Sequence, residues 1–167
     1  QVAMTEAVDM DLSIEEADAV FGRPMGIPKT GVFALYDLIG IDLMSDVLKS
    51  FQKELPKEDE FQKVVSGLPI IKKLIETGYT GRKGKGGFYR MNKSENKKTL
   101  EALNLNKNEY FPVKKIDLKI DKINLLELIN RNDKYGKYAW SVISKIILYS
   151  SSLVPAITDE YNDIDEA

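Results

Sequence analysis

The chain has 167 residues, 43% of them apolar and 30% charged, with 24 basic and 26 acidic residues for a formal net charge of −2. That balance suits a water-soluble globular fold and excludes the strong basic field of a non-specific nucleic-acid binder. With no cysteine and no histidine, the chain has no disulfide framework, no thiolate or imidazole catalysis, and no Cys- or His-based metal site.

Val2 to Met10 reads as a short helical stub. Ser13-Ile14-Glu15-Glu16 fits a capping box, with a side-chain oxygen at N-cap and Glu at N3. Ile14, Ala17, Val20 and Phe21 follow at helical spacing until Gly22. Residues 22–29 hold two Gly and two Pro in Gly22-Arg23-Pro24-Met25-Gly26-Ile27-Pro28-Lys29, so they form a rigid loop between helices.

Helical spacing resumes near Thr30 through Val32, Phe33, Leu35 and Tyr36, with a break at Gly40. Asp37 and Asp42 flank that glycine, and capping or turn roles account for them. Ile41, Met44, Val47, Leu48 and Phe51 predict an amphipathic helix ending near Pro56. Phe61, Val64 and Val65 predict a short helix, and Leu68, Ile71, Leu74 and Ile75 another, closed by Gly78.

Residues 78–90 carry five glycines and four cations. This loop fails the Walker A pattern, since Tyr79 stands where a glycine is needed and Gly86 where Ser or Thr is needed. Nor does a helix open after it, as a dinucleotide fingerprint demands. Its free N–H groups beside Arg82, Lys83 and Lys85 suit a phosphate or another anion; a solvated turn explains the same composition. Phe88-Tyr89-Arg90-Met91 leaves the loop extended.

Residues 92–122 read as a connector, with a small β-hairpin around Asn104 to Asn108, although Thr99 to Leu103 suits a helical turn equally well. Ile123, Leu125, Leu126 and Ile129 predict a short helix. A clear apolar stripe then runs from Tyr138 through Ala139, Val142, Ile143, Ile146 and Ile147, and Pro155 is placed to open the next helix. Ile14-Glu15-Glu16-Ala17 and Ile164-Asp165-Glu166-Ala167 are weakly alike, as the opening of a repeated unit would be. Both ends read as boundaries inside a longer chain.

Three segments in order, Leu12 to Gly26, Asp37-Leu38-Ile39-Gly40-Ile41-Asp42, and Gly81-Arg82-Lys83-Gly84-Lys85-Gly86-Gly87-Phe88-Tyr89, resemble the C-terminal helical domain of the L-3-hydroxyacyl-CoA dehydrogenases. The resemblance covers residues 1–91. Ile27-Pro28-Lys29-Thr30-Gly31 resembles an insertion in the long bacterial members, which carry two helical units in tandem. It implies a mainly all-α fold, of the helical 6-phosphogluconate-dehydrogenase C-terminal-like kind, with residues 92–122 as connector and 123–167 as the start of a second unit. That start either packs on the first unit or swaps into a neighbouring chain.

By the same resemblance the whole enzyme oxidises L-3-hydroxyacyl-CoA in fatty-acid β-oxidation, with NAD bound by a Rossmann domain outside this chain. A His oriented by a Glu in that domain takes the hydroxyl proton, so no catalytic residue and no metal ligand is assigned here and the fragment alone is expected to be inactive. Pro24, Met25 and Gly26 are expected to shape the acyl side. Arg82, Lys83 and Lys85 are expected to face anionic groups of CoA or the domain interface. The expected setting is a cytoplasmic homodimer with neither nucleic acid nor a membrane span. The rival reading is a helical dimerisation module without catalysis, and a helical domain of this kind with another substrate also shares the fold.

Overall fold

A computed structural model describes residues 1–64, 68–94, 97–119 and 124–166. The elements run α1 (Val2–Asp9), α2 (Ile14–Val20), a 3-10 turn (Arg23–Met25), α3 (Val32–Ile39), α4 (Ile41–Glu54), α5 (Phe61–Val64), α6 (Pro69–Glu76), β1 (Tyr89–Ser94), β2 (Lys97–Asn104), β3 (Glu109–Pro112), α7 (Leu125–Ile129), α8 (Lys134–Ser152) and α9 (Tyr161–Glu166). The mainly helical expectation holds. Among the described residues no helix is long and apolar enough to cross a membrane.

The capping box forms as its pattern requires. Glu16 N donates to Ser13 Oγ at 3.2 Å and Ser13 N to Glu16 Oε2 at 3.0 Å, satisfying two amides that a helix start leaves unpaired. Helix α3 is capped from a distance instead. Phe33 N and Ala34 N donate to the two carboxylate oxygens of Asp18 at 2.7 and 3.0 Å, so α2 supplies the cap of α3.

The hairpin between Leu103 and Tyr110 is present, and it is part of a three-stranded antiparallel sheet ordered β1-β2-β3. Tyr89 pairs with Ala102 and Met91 with Leu100, while Glu101 pairs with Pro112 and Leu103 with Tyr110. Thr99 to Leu103 is therefore strand, because β2 is the central strand and its ladder outweighs local helical preference. Strand β1 begins inside residues 1–91 and ends beyond them.

The core gathers around Phe33 and Phe88, both fully buried, whose rings meet edge-on at 4.9 Å and 74°. Met4, Ala7, Ile14, Ala17, Val20 and Ile41 fill the same cluster. The first half of α8 joins it: Tyr138, Ala139 and Val142 are wholly buried, and Tyr138 OH donates to Ala3 O at 2.8 Å. Glu6 of α1 accepts from Ser141 and Lys145 of α8, so α8 packs on α1 within this chain.

Three local features differ from the pattern. Helix α8 starts at Lys134, a turn before the apolar stripe begins, because Asp133 caps it through Tyr135 N and Gly136 N at 3.1 and 3.0 Å. Pro155 lies in a turn, and the next helix waits until Tyr161, after Thr158 Oγ1 has accepted from Glu160 N at 3.2 Å. Helix α4 buries only Ile41 among its residues, leaving Leu43, Val47 and Phe51 exposed. Val65, Ile123 and Ala167, each part of an expected helix or repeat, lie outside the described residues.

Candidate functional site

The glycine-rich loop is fastened to α3 by one buried carboxylate. Asp37, 4% exposed, accepts from Phe88 N on Oδ1 at 2.8 Å and from Tyr89 N on Oδ2 at 2.7 Å. Its backbone carbonyl accepts from Arg82 N at 2.8 Å, and Ile41 N donates to Thr80 O at 3.0 Å. Two glycines make this approach possible. A Cβ on Gly87 would sit 2.0 Å from Asp37 Oδ1, and one on Gly81, whose φ is +106°, would sit 2.4 Å from Asp37 O.

Most of the loop's amides are spent inside the fold. Gly81 N donates to Gly86 O, Gly84 N to Gly81 O, Lys85 N to Gly78 O and Gly87 N to Tyr89 O. Side chains therefore carry the loop's capacity for anions, not a cradle of N–H groups. Lys85 Nζ donates to Thr77 O at 3.2 Å, which ties that head to the end of α6.

Asp18 and Asp37 are joined through Tyr89, whose hydroxyl donates to Asp18 Oδ2 at 2.9 Å while its N–H donates to Asp37. Burial pushes both carboxyls up to about 6, against the pull of these hydrogen bonds. Burial and the nearby Asp18 carboxylate push the Tyr89 phenol well above its ordinary value, so it stays a donor.

A cleft of about 590 Å³ opens between the loop and β1, lined by Arg82, Lys85, Lys93, Met91, Leu100 and Tyr89 among others. A second groove of about 340 Å³ is lined by Arg23, Pro24, Lys29 and Thr30. Ala34 and Tyr89 line both, so the two openings adjoin across α3. Of the six residues singled out by sequence, Arg82 and Lys85 meet in the first and Pro24 lines the second. Lys83 is exposed outside both linings. Met25 is 7% exposed and belongs to the core, while Gly26 ends the 3-10 turn with φ +76°.

The sequence marks none of Met91, Lys93 and Leu100 as a site residue: Met91 stands in the extended exit of the loop, and Lys93 and Leu100 in the connector stretch. Asp37, for which capping or turn roles are expected, instead has its partners 51 and 52 residues away. Asp42 does act locally, accepting from Leu43 N at 2.9 Å.

Residues 2–91 match the family model of the 3-hydroxyacyl-CoA dehydrogenase C-terminal domain. The chain belongs to this family. The chain resembles a protein of Rickettsia prowazekii (strain Madrid E) described as a fatty acid oxidation complex trifunctional enzyme, 38% identical over 99% of the chain and 23% of that relative. It is 29% identical to a probable 3-hydroxyacyl-CoA dehydrogenase of Bacillus subtilis (strain 168), over 99% of the chain and 21% of that relative. It is 30% identical to a probable 3-hydroxyacyl-CoA dehydrogenase of Caenorhabditis elegans, over 48% of the chain and 24% of that relative. The matched stretch is thus less than a quarter of the length of each of these relatives. No solved structure matches it.

Proposed function

We propose that the chain is the helical part of an NAD-dependent L-3-hydroxyacyl-CoA dehydrogenase of fatty-acid β-oxidation, working in the cytoplasm, and that it is inactive by itself. The observation that carries this is the family match over residues 2–91 on a chain without histidine. The described residues do not fit NAD: their one sheet is antiparallel, and the glycine loop leads into a strand rather than a helix. No step of hydride transfer is therefore assigned to them. Their part is to bind and to shut out water.

On this reading Pro24, with Met25 and Gly26 holding its turn rigid, shapes the acyl side. Arg82 and Lys85 face anionic groups of the CoA ester, and Lys83 is left to the interface with the nucleotide-binding domain. Residues 1–91 form the family's helical unit, 92–122 its connector and 123–167 the start of a second unit, a division supported by where the family match stops.

The dimerisation reading has an observation in its favour too. Leu43, Val47 and Phe51 lie at i, i+4 and i+8 on α4 and are 52%, 38% and 51% exposed. A stripe of that kind marks a surface that another chain covers, and we assign the homodimer contact to it. A dimer face and a dehydrogenase half are compatible roles for one domain.

The test is NADH oxidation with acetoacetyl-CoA, run on the whole protein in which this chain occurs and on the chain alone. An active whole protein beside a silent chain supports the reading. Turnover by the chain alone would overturn the division of labour, and silence of the whole protein would leave dimerisation as its function.

A further inference from the structure

Met91 and Leu100 are cross-strand partners of β1 and β2, so their side chains stand together on one face of the sheet. They are 50% and 46% exposed, an apolar shelf without a cover. Two residues along, Lys93 stands opposite Lys98 on that same face, because side chains alternate along a strand. Like charges directly opposite are unfavourable. Neither lysine forms an ion pair among the described residues.

At the shelf's other end the cleft reaches Arg82 and Lys85. Lys85 has one donor on Thr77 O and an ammonium has three, so two remain. Arg90, the fourth cation of the lining, is occupied elsewhere: it donates to Glu101 at 2.8 Å and lies 3.9 Å over the Tyr110 ring. Asp37, the single acid among the lining residues, has both oxygens held by Phe88 N and Tyr89 N. What is left is an apolar shelf with cations at both ends.

We infer that this cleft binds the phosphorylated adenosine end of a CoA thioester, with the base on Met91 and Leu100 and the phosphates between Lys93 and the Arg82–Lys85 edge. The inference rests on the proposed function, which supplies CoA as the ligand class. A bare phosphate would satisfy the lysines and leave the shelf unused, whereas a nucleotide with phosphates at both ends uses both features. The opening of about 590 Å³ lies within the ordinary range of small-molecule sites.

Calorimetric titration of the chain with CoA, dephospho-CoA, pantetheine and inorganic pyrophosphate tests it. CoA is expected to bind more tightly than dephospho-CoA, and pantetheine not at all in the same range. Arg82→Gln and Lys93→Gln are each expected to weaken CoA by about tenfold. Leu100→Ser should weaken CoA and leave pyrophosphate as it was, and Lys72→Gln on α6 serves as a distant control. Pantetheine binding as well as CoA, or Lys93→Gln without effect, would overturn the assignment. Pyrophosphate matching CoA in wild type would overturn it in favour of a simple phosphate site.

The two readings fail separately. A whole enzyme that reduces acetoacetyl-CoA with a KM unmoved by Lys93→Gln sinks the cleft alone. A whole protein that never turns over, on a cleft that binds CoA, sinks the dehydrogenase alone.

Discussion

Tyr89 and Asp18, 71 residues apart, meet through a hydrogen bond of 2.9 Å from the phenol to Oδ2. Asp18 caps α3 and Tyr89 opens β1, so this one bond ties the helical layer to the sheet. The same tyrosine's N–H rests on Asp37. Helix α3 is thus held near both ends by carboxylates that share a partner.

Tyr89→Phe removes the phenol's bond and leaves Asp18 with its two amide donors. A buried hydrogen bond to a carboxylate contributes about 1–3 kcal/mol, and with the two amides retained the loss is expected at about 1–2 kcal/mol. Urea unfolding checks it: the midpoint should fall with the slope unchanged.

Gly87→Ala places a methyl group 2.0 Å from Asp37 Oδ1, closer than any contact a carboxylate oxygen tolerates. Overpacking of this kind costs about 1–3 kcal/mol, and here it also displaces the oxygen that holds Phe88 N. Reduced melting temperature with loss of amide protection at Phe88 and Tyr89 is the expected result. A variant as stable as the wild type would mean that the clasp on Asp37 does not exist.

Asp18 and Asp37 are raised from 3.8 to about 6 by burial. The folded state therefore binds their protons more tightly than the unfolded state does, and the stability they contribute is complete below their ordinary pKa and lost as pH rises through 6. Glu6 and Glu16 run the other way. Burial pushes them up, but hydrogen bonds from Lys145 and Ser141 to Glu6, and from Lys134 to Glu16, outweigh it and hold both below the ordinary value. Their gain is complete once the unfolded glutamates have ionised, so from about pH 5.5 to 7 the aspartates dominate the carboxylate contribution, while the amino terminus of Gln1, held below its ordinary value by burial, contributes with the opposite sign. Carboxyl-carbon NMR should show two midpoints near 6, and stability to urea should decline across that window.

Leu43→Glu puts a charge on the exposed stripe of α4. If that stripe is the contact between copies, burying an unpaired carboxylate there weakens the dimer by at least about tenfold while the fold stays intact. Sedimentation velocity reads the shift to monomer, and circular dichroism reads the fold. Unchanged association would move the dimer face elsewhere.

Local pattern decided much of this protein. The capping box at Ser13 and Glu16 needs only four consecutive residues, and the apolar periodicity of α2, α6 and α8 needs only a turn or two, so each could be read from neighbours in the chain. The three segments at residues 12–26, 37–42 and 81–89 carry the family for the same reason: their residue types and order are themselves the signal. The mainly helical fold and the hairpin beyond Leu103 follow from that level.

What only the tertiary structure decided are relationships between distant residues. The sequence shows Asp18 and Asp37 as ordinary acids beside a helix and a glycine, and no periodicity says that Tyr89 joins them. Thr99 to Leu103 becomes strand through pairing on both sides, a term that local propensity does not contain. Lys93 and Leu100, seven residues apart in the chain, reach one cleft with Arg82 because an antiparallel register brings them to one face. A loop's composition reports charge, and the fold alone decides which of its amides remain free to use it.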